Sequence, residues 1–275
     1  MKKSVLEKIS EREKIISFQL KRLNKTFSQE DFYLHECIET YLDQYCMHYK
    51  LQCEEILSRY MSFISQYEKD LKNYVLTGKY PYQIDKTSRY VPDRITYDLF
   101  LIITALVTRH RFEIMTNISN LDLNKKRCLI IGVGAGLELL LINNADITAY
   151  DSTISDFVKN RFYKYKLNER TFSYDCCCQD QFDTVIAIEI LEHIDDPLAM
   201  IDGLKKIIPC KGQLVFTTAT NVPQFDHLYN FSNRKYFENI LSKRGFKIIK
   251  RKVIKHHYIL SKTESNNVFY ILESE

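Results

Sequence analysis

The chain has 275 residues, enough for one large domain or two small ones, with 39 Lys and Arg against 35 Asp and Glu and a formal charge of +4. Its pI of about 8.5 falls below the strongly basic footprint of a dedicated nucleic-acid binder, so nucleic acid is an unlikely partner. Of the eight cysteines three are consecutive and no C-x-x-C pair exists, so neither a disulfide framework nor a metal site is expected.

Taken in chain order, the first 120 residues read as helical. Residues 2–27 and 31–76 contain no proline or glycine. Their apolar residues recur three and four apart: Ile9, Ile16, Leu20 and Leu23, then Leu34, Cys37, Ile38, Tyr41, Leu42 and Tyr45. That spacing predicts two or three amphipathic helices, broken near "NKTFS" and again at "TGKYPY". The opening "MKKSVLEKISEREK" is charged where a signal peptide needs an apolar core, which points to the cytoplasm. Pro92 suits a first helical position and predicts a helix through "DRITYDLFLIITALVTRHRFEIM". The apolar centre of that helix is about half the length of a bilayer span, so it is expected to be buried and no membrane partner is indicated.

The stretch "CLIIGVGAGLELLLI", residues 128–142, then puts three of the chain's seven glycines into five positions between two apolar runs. It reads as strand, turn and helix. Alternating glycines suit a turn on which a ligand lies against the main chain. The pattern is G-x-G-x-G; the dinucleotide fingerprint would need glycine where Leu137 stands. "ADITAYD" ends a second strand on Asp151, about 20 residues after the first glycine, where a carboxylate can accept from ribose hydroxyls. "FDTVIAIEILEHIDDP" follows as a buried strand that ends in acids and enters a helix carrying Glu189, Glu192 and His193. "GQLVFTTA" predicts another strand, "NRKYFENILSKRGF" a helix ending at Gly245, and "FKIIKRKVI" and "NNVFYILES" two closing strands joined by a polar loop.

The combination of "IIGVGAG", "AYD" and "FDTVIAIEILEHIDDP" resembles the class I S-adenosylmethionine-dependent methyltransferases, over residues 121–275. The resemblance implies an α/β, doubly wound Rossmann-like sheet of seven strands, the last antiparallel; the all-helical N-terminal segment of residues 1–120, read from its periodicity and outside the resemblance, is expected to be a lid or substrate-docking surface. It implies Gly132, Gly134 and Gly136 for the turn under the methionine part of the cofactor, Asp151 for the ribose and Asp175 for the adenine. No metal is implied. Two departures limit the transfer: Ile130 stands where family members commonly have an acid, and residues 175–182 form a shorter segment than usual. The methionine amino group then needs another partner, a backbone carbonyl or Glu189.

His193, His227 and Tyr229 are the candidates for catalysis, the last two in "TNVPQFDHLYNFS", which resembles the family's loop after the fifth strand. Arg89, Tyr90 and Arg94 are candidates for gripping an anionic substrate. The acceptor class turns on the need for a base: a phenol, alcohol or amine wants one, whereas a carboxylate is already ionised near neutral pH. With no decisive base in the sequence, and with basic clusters in residues 1–30 and in "SKRGFKIIKRKVIKHH", the first expectation is O-methylation of a carboxylate on a small molecule or peptide, such as a peptide C-terminus. The other readings are O- or N-methylation of a phenol, alcohol or amine, methylation of RNA, and a non-catalytic protein that keeps the cofactor fold.

Overall fold

The computed structural model describes residues 3–84, 92–173, 180–256 and 264–275, the side chains of residues 82 and 84 excepted. Helices come first: α1 (Val5–Arg12), α2 (Lys14–Asn24), α3 (Gln29–His48), α4 (Cys53–Thr77), α5 (Pro81–Ile84), α6 (Arg94–Val107) and α7 (Arg109–Ser119). Then strands and helices alternate: β1 (Arg127–Ile131), α8 (Leu137–Leu141), β2 (Asp146–Asp151), α9 (Asp156–Arg161), β3 (Lys166–Glu169), β4 (Thr184–Ala187), α10 (Pro197–Ile207), β5 (Gln213–Thr220), α11 (Arg234–Lys243), β6 (Phe246–Lys255) and β7 (Asn266–Ser274). The sheet order is β3-β2-β1-β4-β5-β7-β6. β1 to β5 are parallel, while β7 runs antiparallel between β5 and β6. The chain leaves β1 in one direction and returns to β4 on its other side, which opens a crevice at their carboxyl ends.

Side chains two apart share a sheet face, so each strand feeds two cores. Cys128 and Ile130 of β1, Val215 of β5 and Phe269 of β7 join one apolar cluster. Leu129 and Ile131, Leu214 and Phe216, and Tyr270 join the other, under α10 and α11. The first cluster is continuous with the N-terminal helices: Ile9, Ile16, Ile38, Tyr41 and Tyr45 are fully buried in the same core as Ile130 and Ala149. The helical segment and the sheet therefore share one interior. Ile38→Ala is expected to cost the whole protein about 2–5 kcal/mol in a single transition. Urea unfolding followed by both helix and sheet probes would count against a shared core if only the helical signal moved.

Five boundaries differ from expectation. The N-terminal helices break additionally at Glu13, whose carboxylate caps α2, and between α3 and α4, where Lys50 has φ +55°. α6 starts at Arg94 rather than Pro92, because the Asp93 side chain accepts from the Thr96 N–H and so caps the helix. It stops at Thr108, whose extended backbone separates it from α7. No helix carries Glu189, Glu192 and His193: β4 leads into a short 3-10 turn, Leu191–His193, and α10 begins only at Pro197. Asp196 accepts from the Leu198 and Ala199 N–H groups there, and proline at the first helical position completes a stronger start signal than the upstream acids offer.

Candidate active site

A cavity of about 930 Å³ lies over the carboxyl ends of β1, β2, β4 and β5. That is near the upper end of the roughly 300–1,000 Å³ of small-molecule sites. Sheet-side loops supply Gly132, Gly134, Asp151, Phe172, Glu189, His193, Asp226 and His227; the helical segment supplies Tyr60, Ile64, Tyr67, Arg94, Tyr97, Phe100 and Arg111.

The glycine turn forms one end. Gly132 has φ +79° and Gly134 φ +50°, in the left-handed region that side chains disfavour. A Cβ on Gly132 would run into the Ile190 side chain, and one on Gly134 would come within 3.0 Å of Leu101. Gly136 also has positive φ, but it meets Tyr41 and Phe162 at the start of α8 and does not line the cavity. Asp151 joins the turn to the end of β2: one carboxylate oxygen accepts from the Gly134 N–H at 2.9 Å, the other from the Thr153 N–H at 3.0 Å.

Arg94 belongs to this end of the site, in a different role from the expected anion grip. Its guanidinium donates to the carbonyls of Gly134 and Thr153, pairs with Asp98 at 2.9 Å and stands 3.7 Å from Asp151. Asp98 is fully buried and accepts from Tyr45 at 3.0 Å; burial pushes its carboxyl up to about 6. The Tyr41 hydroxyl donates to the Ala135 carbonyl at 2.6 Å. Helices α3 and α6 thus brace the glycine turn.

Arg111 lies deeper, buried on the face of α7 that carries Ile114, Met115 and Ile118. It donates to Glu189, whose second oxygen accepts from Asn267 on β7. Among the described residues the buried Arg111 Nε has no hydrogen-bond partner. Glu189 is held at φ +52°, and its N–H donates to Thr217 at 2.7 Å. A non-glycine residue in that conformation marks local strain of the kind stored at functional sites. Glu138, also buried at the cavity, is pushed up to about 7 by desolvation in spite of Arg111.

At the far end, His193 turns its Nδ1 to the Asp226 carbonyl at 3.2 Å and the Asp226 carboxylate at 3.5 Å. Burial pulls the His193 pKa down, but Asp226 and Glu192 outweigh it and the net shift is upward. His227 packs edge-on against His193, ring centroids 4.8 Å apart, and burial with that neighbour drops it to about 4. The two imidazoles are therefore driven apart in basicity. Glu192 is fully buried, neither carboxylate oxygen has a hydrogen-bond partner among the described residues, and burial raises its pKa. One ligand atom each from His193, Asp226 and His227 lies within 4.8 Å of the others, so these three can also hold a cation.

Of the residues singled out from sequence, Gly132, Gly134, Asp151, Glu189, His193, His227 and Arg94 meet on this cavity. Tyr229 does not: its hydroxyl donates to the Asp195 carbonyl and its ring is partly exposed outside the cavity lining. The Leu228 and Tyr229 N–H groups both reach the Glu192 carbonyl, and this turns the tyrosine away. Asp175, Arg89 and Tyr90 lie outside the described residues, as do the three consecutive cysteines. Arg111 and Asp226 were not anticipated. Arg111 had a legible signal, a charge spaced three, four and seven residues before apolar residues on a buried helical face; Asp226 stands immediately before His227.

The sheet order, the G-x-G-x-G turn and the acid after β2 define a class I S-adenosylmethionine-dependent methyltransferase fold. A family model described as a methyltransferase domain matches residues 107–251, more than half the chain, and the protein belongs to that family. Among curated relatives, a ubiquinone biosynthesis O-methyltransferase of Coxiella burnetii is 32% identical over 136 residues, 45% of this chain and 56% of that protein. A mitochondrial ubiquinone biosynthesis O-methyltransferase of Dictyostelium discoideum is 28% identical over 91 residues, 32% of this chain and 27% of that protein. The chain thus spans about half the length, or less, of these relatives. Among solved structures, an O-methyltransferase family protein from Burkholderia thailandensis superposes with TM-score 0.51 at 12% identity, covering 80% of this chain and 71% of that one, a likeness of fold. No helix among the described residues is long and apolar enough to cross a membrane.

Proposed function

We propose that the protein methylates a hydroxyl oxygen of a small-molecule acceptor, using S-adenosylmethionine, with His193 as the base. The observation that carries this reading is the His193–Asp226 pair on the wall of the cavity that also contains the glycine turn and Asp151. The O-methyltransferase names of the curated relatives support oxygen as the acceptor atom. A carboxylate acceptor would need no base, so the dyad removes the main ground for expecting a peptide C-terminus.

When bound, the cofactor supplies a methyl group already activated on a sulfonium. The residues present fit it. Gly132 and Gly134 let the main chain approach the ligand, and Asp151 has lone pairs free for ribose hydroxyls beyond its two backbone donors. Phe172 and Ser173, after β3, offer a wall for the adenine. The Arg111–Glu189 pair answers the loss of an acid at Ile130: cation and carboxylate side by side match an amino acid's carboxylate and ammonium. His193, oriented through Nδ1 by Asp226, takes the hydroxyl proton on its other ring nitrogen, while the aromatic and aliphatic side chains of α4 and α6 exclude water.

Asp151→Ala removes charge-assisted hydrogen bonds worth roughly 1.5–3 kcal/mol, so affinity for S-adenosylhomocysteine is expected to fall about 10- to 150-fold. Calorimetric titration of the folded variant measures this, and unchanged affinity would remove Asp151 from the site. A second reading is favoured by the unpartnered Glu192 carboxylate beside His193, Asp226 and His227: a divalent cation there would acidify the acceptor hydroxyl directly. Turnover that survives exhaustive chelation supports the base; turnover lost to a chelator and restored by a divalent ion supports the cation.

A further inference from the structure

Residues 221–231, which carry Asp226 and His227, run between two supports. On one side the turn after β4 holds them, through the Glu192 carbonyl and His193. The other side is helix α4. Phe63 of α4 packs edge-on against Phe225 at 5.5 Å, and Tyr67 and Leu71 form a separate apolar cluster with Ala219 and Val222. Tyr74 donates to the Asn221 side chain at 3.0 Å, and the buried Tyr80 hydroxyl, just beyond α4, accepts from the Val222 N–H at 3.1 Å. Asp70 is 3% exposed, accepts from Gln66 at 2.9 Å, and has the Phe225 amide against its carboxylate, one residue before Asp226. A carboxylate buried at the foot of a loop, among aromatic side chains, is more than the packing of a surface helix requires.

We propose that α4 and Tyr80 clamp this loop so that Asp226 meets His193, with Asp70 and Tyr80 as positioning residues that never touch the acceptor. The proposal rests on the base reading above. It makes the helical segment part of the acid–base machinery rather than a cover over it. His193 is faced by Asp226 and His227 from the loop and by Glu189 and Glu192 from the turn; Asp226 in turn is faced by Asp70 of α4 and Tyr97 of α6. A displaced loop removes both Asp226 contacts that fix the imidazole's Nδ1.

The test uses the full chain with Asp70→Asn and Tyr80→Phe, the second removing only a hydroxyl. Both are expected to slow single-turnover methylation by on the order of 10-fold or more while leaving S-adenosylhomocysteine affinity unchanged, because the clamp is remote from the glycine turn. In histidine-labelled protein, the ring resonances of His193 and His227 should move in both variants and that of His48 should stay in place. Loss of folded protein alone would change neither the rate per bound cofactor nor the ring resonances of the folded fraction. Should Asp70→Asn fail to fold, Tyr80→Phe decides alone. Unchanged rates and resonances overturn the clamp. An active His193→Gln protein, by contrast, defeats the base while shifted resonances in the clamp variants still report the clamp.

Discussion

His193→Ala is expected to lower the single-turnover rate by about 10²- to 10⁴-fold, the usual contribution of a positioned general base. The base must be neutral to accept a proton. Because Asp226 and Glu192 raise the His193 pKa against the pull of burial, the rate should rise with pH through a midpoint above the ordinary histidine value of about 6.5. Asp226→Asn removes part of that support, so its rising limb should move to lower pH while the maximum rate falls. His227, depressed to about 4 by burial and by His193, stays neutral across the whole interval and cannot supply the limb. His227→Ala should therefore leave a limb in the neutral range. A profile flat from about pH 6 to 7.5, with His193→Ala nearly as fast as the parent, would return the acceptor to the carboxylate class. Single-turnover measurement keeps product release from masking the chemical step.

Arg111→Met should be the most damaging single change at the cofactor end. It leaves the half-buried Glu189 carboxylate opposite an apolar side chain and takes from Glu138 the cation that holds its pKa down. Breaking this partly buried pair from one side is expected to lower stability by less than the roughly 3–5 kcal/mol of a fully buried pair, read from urea unfolding. Replacing both partners, Arg111→Met with Glu189→Met, should recover much of that stability because no charge is then stranded. S-adenosylhomocysteine binding should not return with it. Arg111→Lys keeps the charge and loses the fork, so it should fold better than Arg111→Met and bind weakly. Full affinity in the double variant would dissociate this pair from the cofactor's amino-acid end.

The parts of the fold that were legible are those written in local chemistry. Period-two apolar strands, the spacing of Ile38, Tyr41, Leu42 and Tyr45 on α3, and the glycines before Leu137 each act over a few residues. The turn after β4 was misread because "EILEHI" has helical composition, whereas Glu189 is held in a left-handed conformation by Thr217, Asn267 and Arg111, 28, 78 and 78 residues away. Arg94 illustrates the same limit. A cation at the entrance to a helix suggests a ligand, yet only the folded chain brings Gly134, Thr153 and Asp98 around its guanidinium. Residue types at the site were readable; which of them would already have protein partners was not.

The single interior shared by α1–α4 and the sheet also sets a schedule for biosynthesis. Ile9, Ile38 and Tyr45 leave the ribosome long before Ile130, and Phe269, in the same cluster, is made later still. At about 5–20 residues per second, more than 200 residues separate Ile38 from Phe269, so the apolar faces of these helices wait some 10 seconds or longer for their full partner surface. Asn267 on β7 is also the group that fixes the second Glu189 oxygen. The shared core is complete only once β7 is in place, together with the Asn267 contact that fixes Glu189 at the cavity.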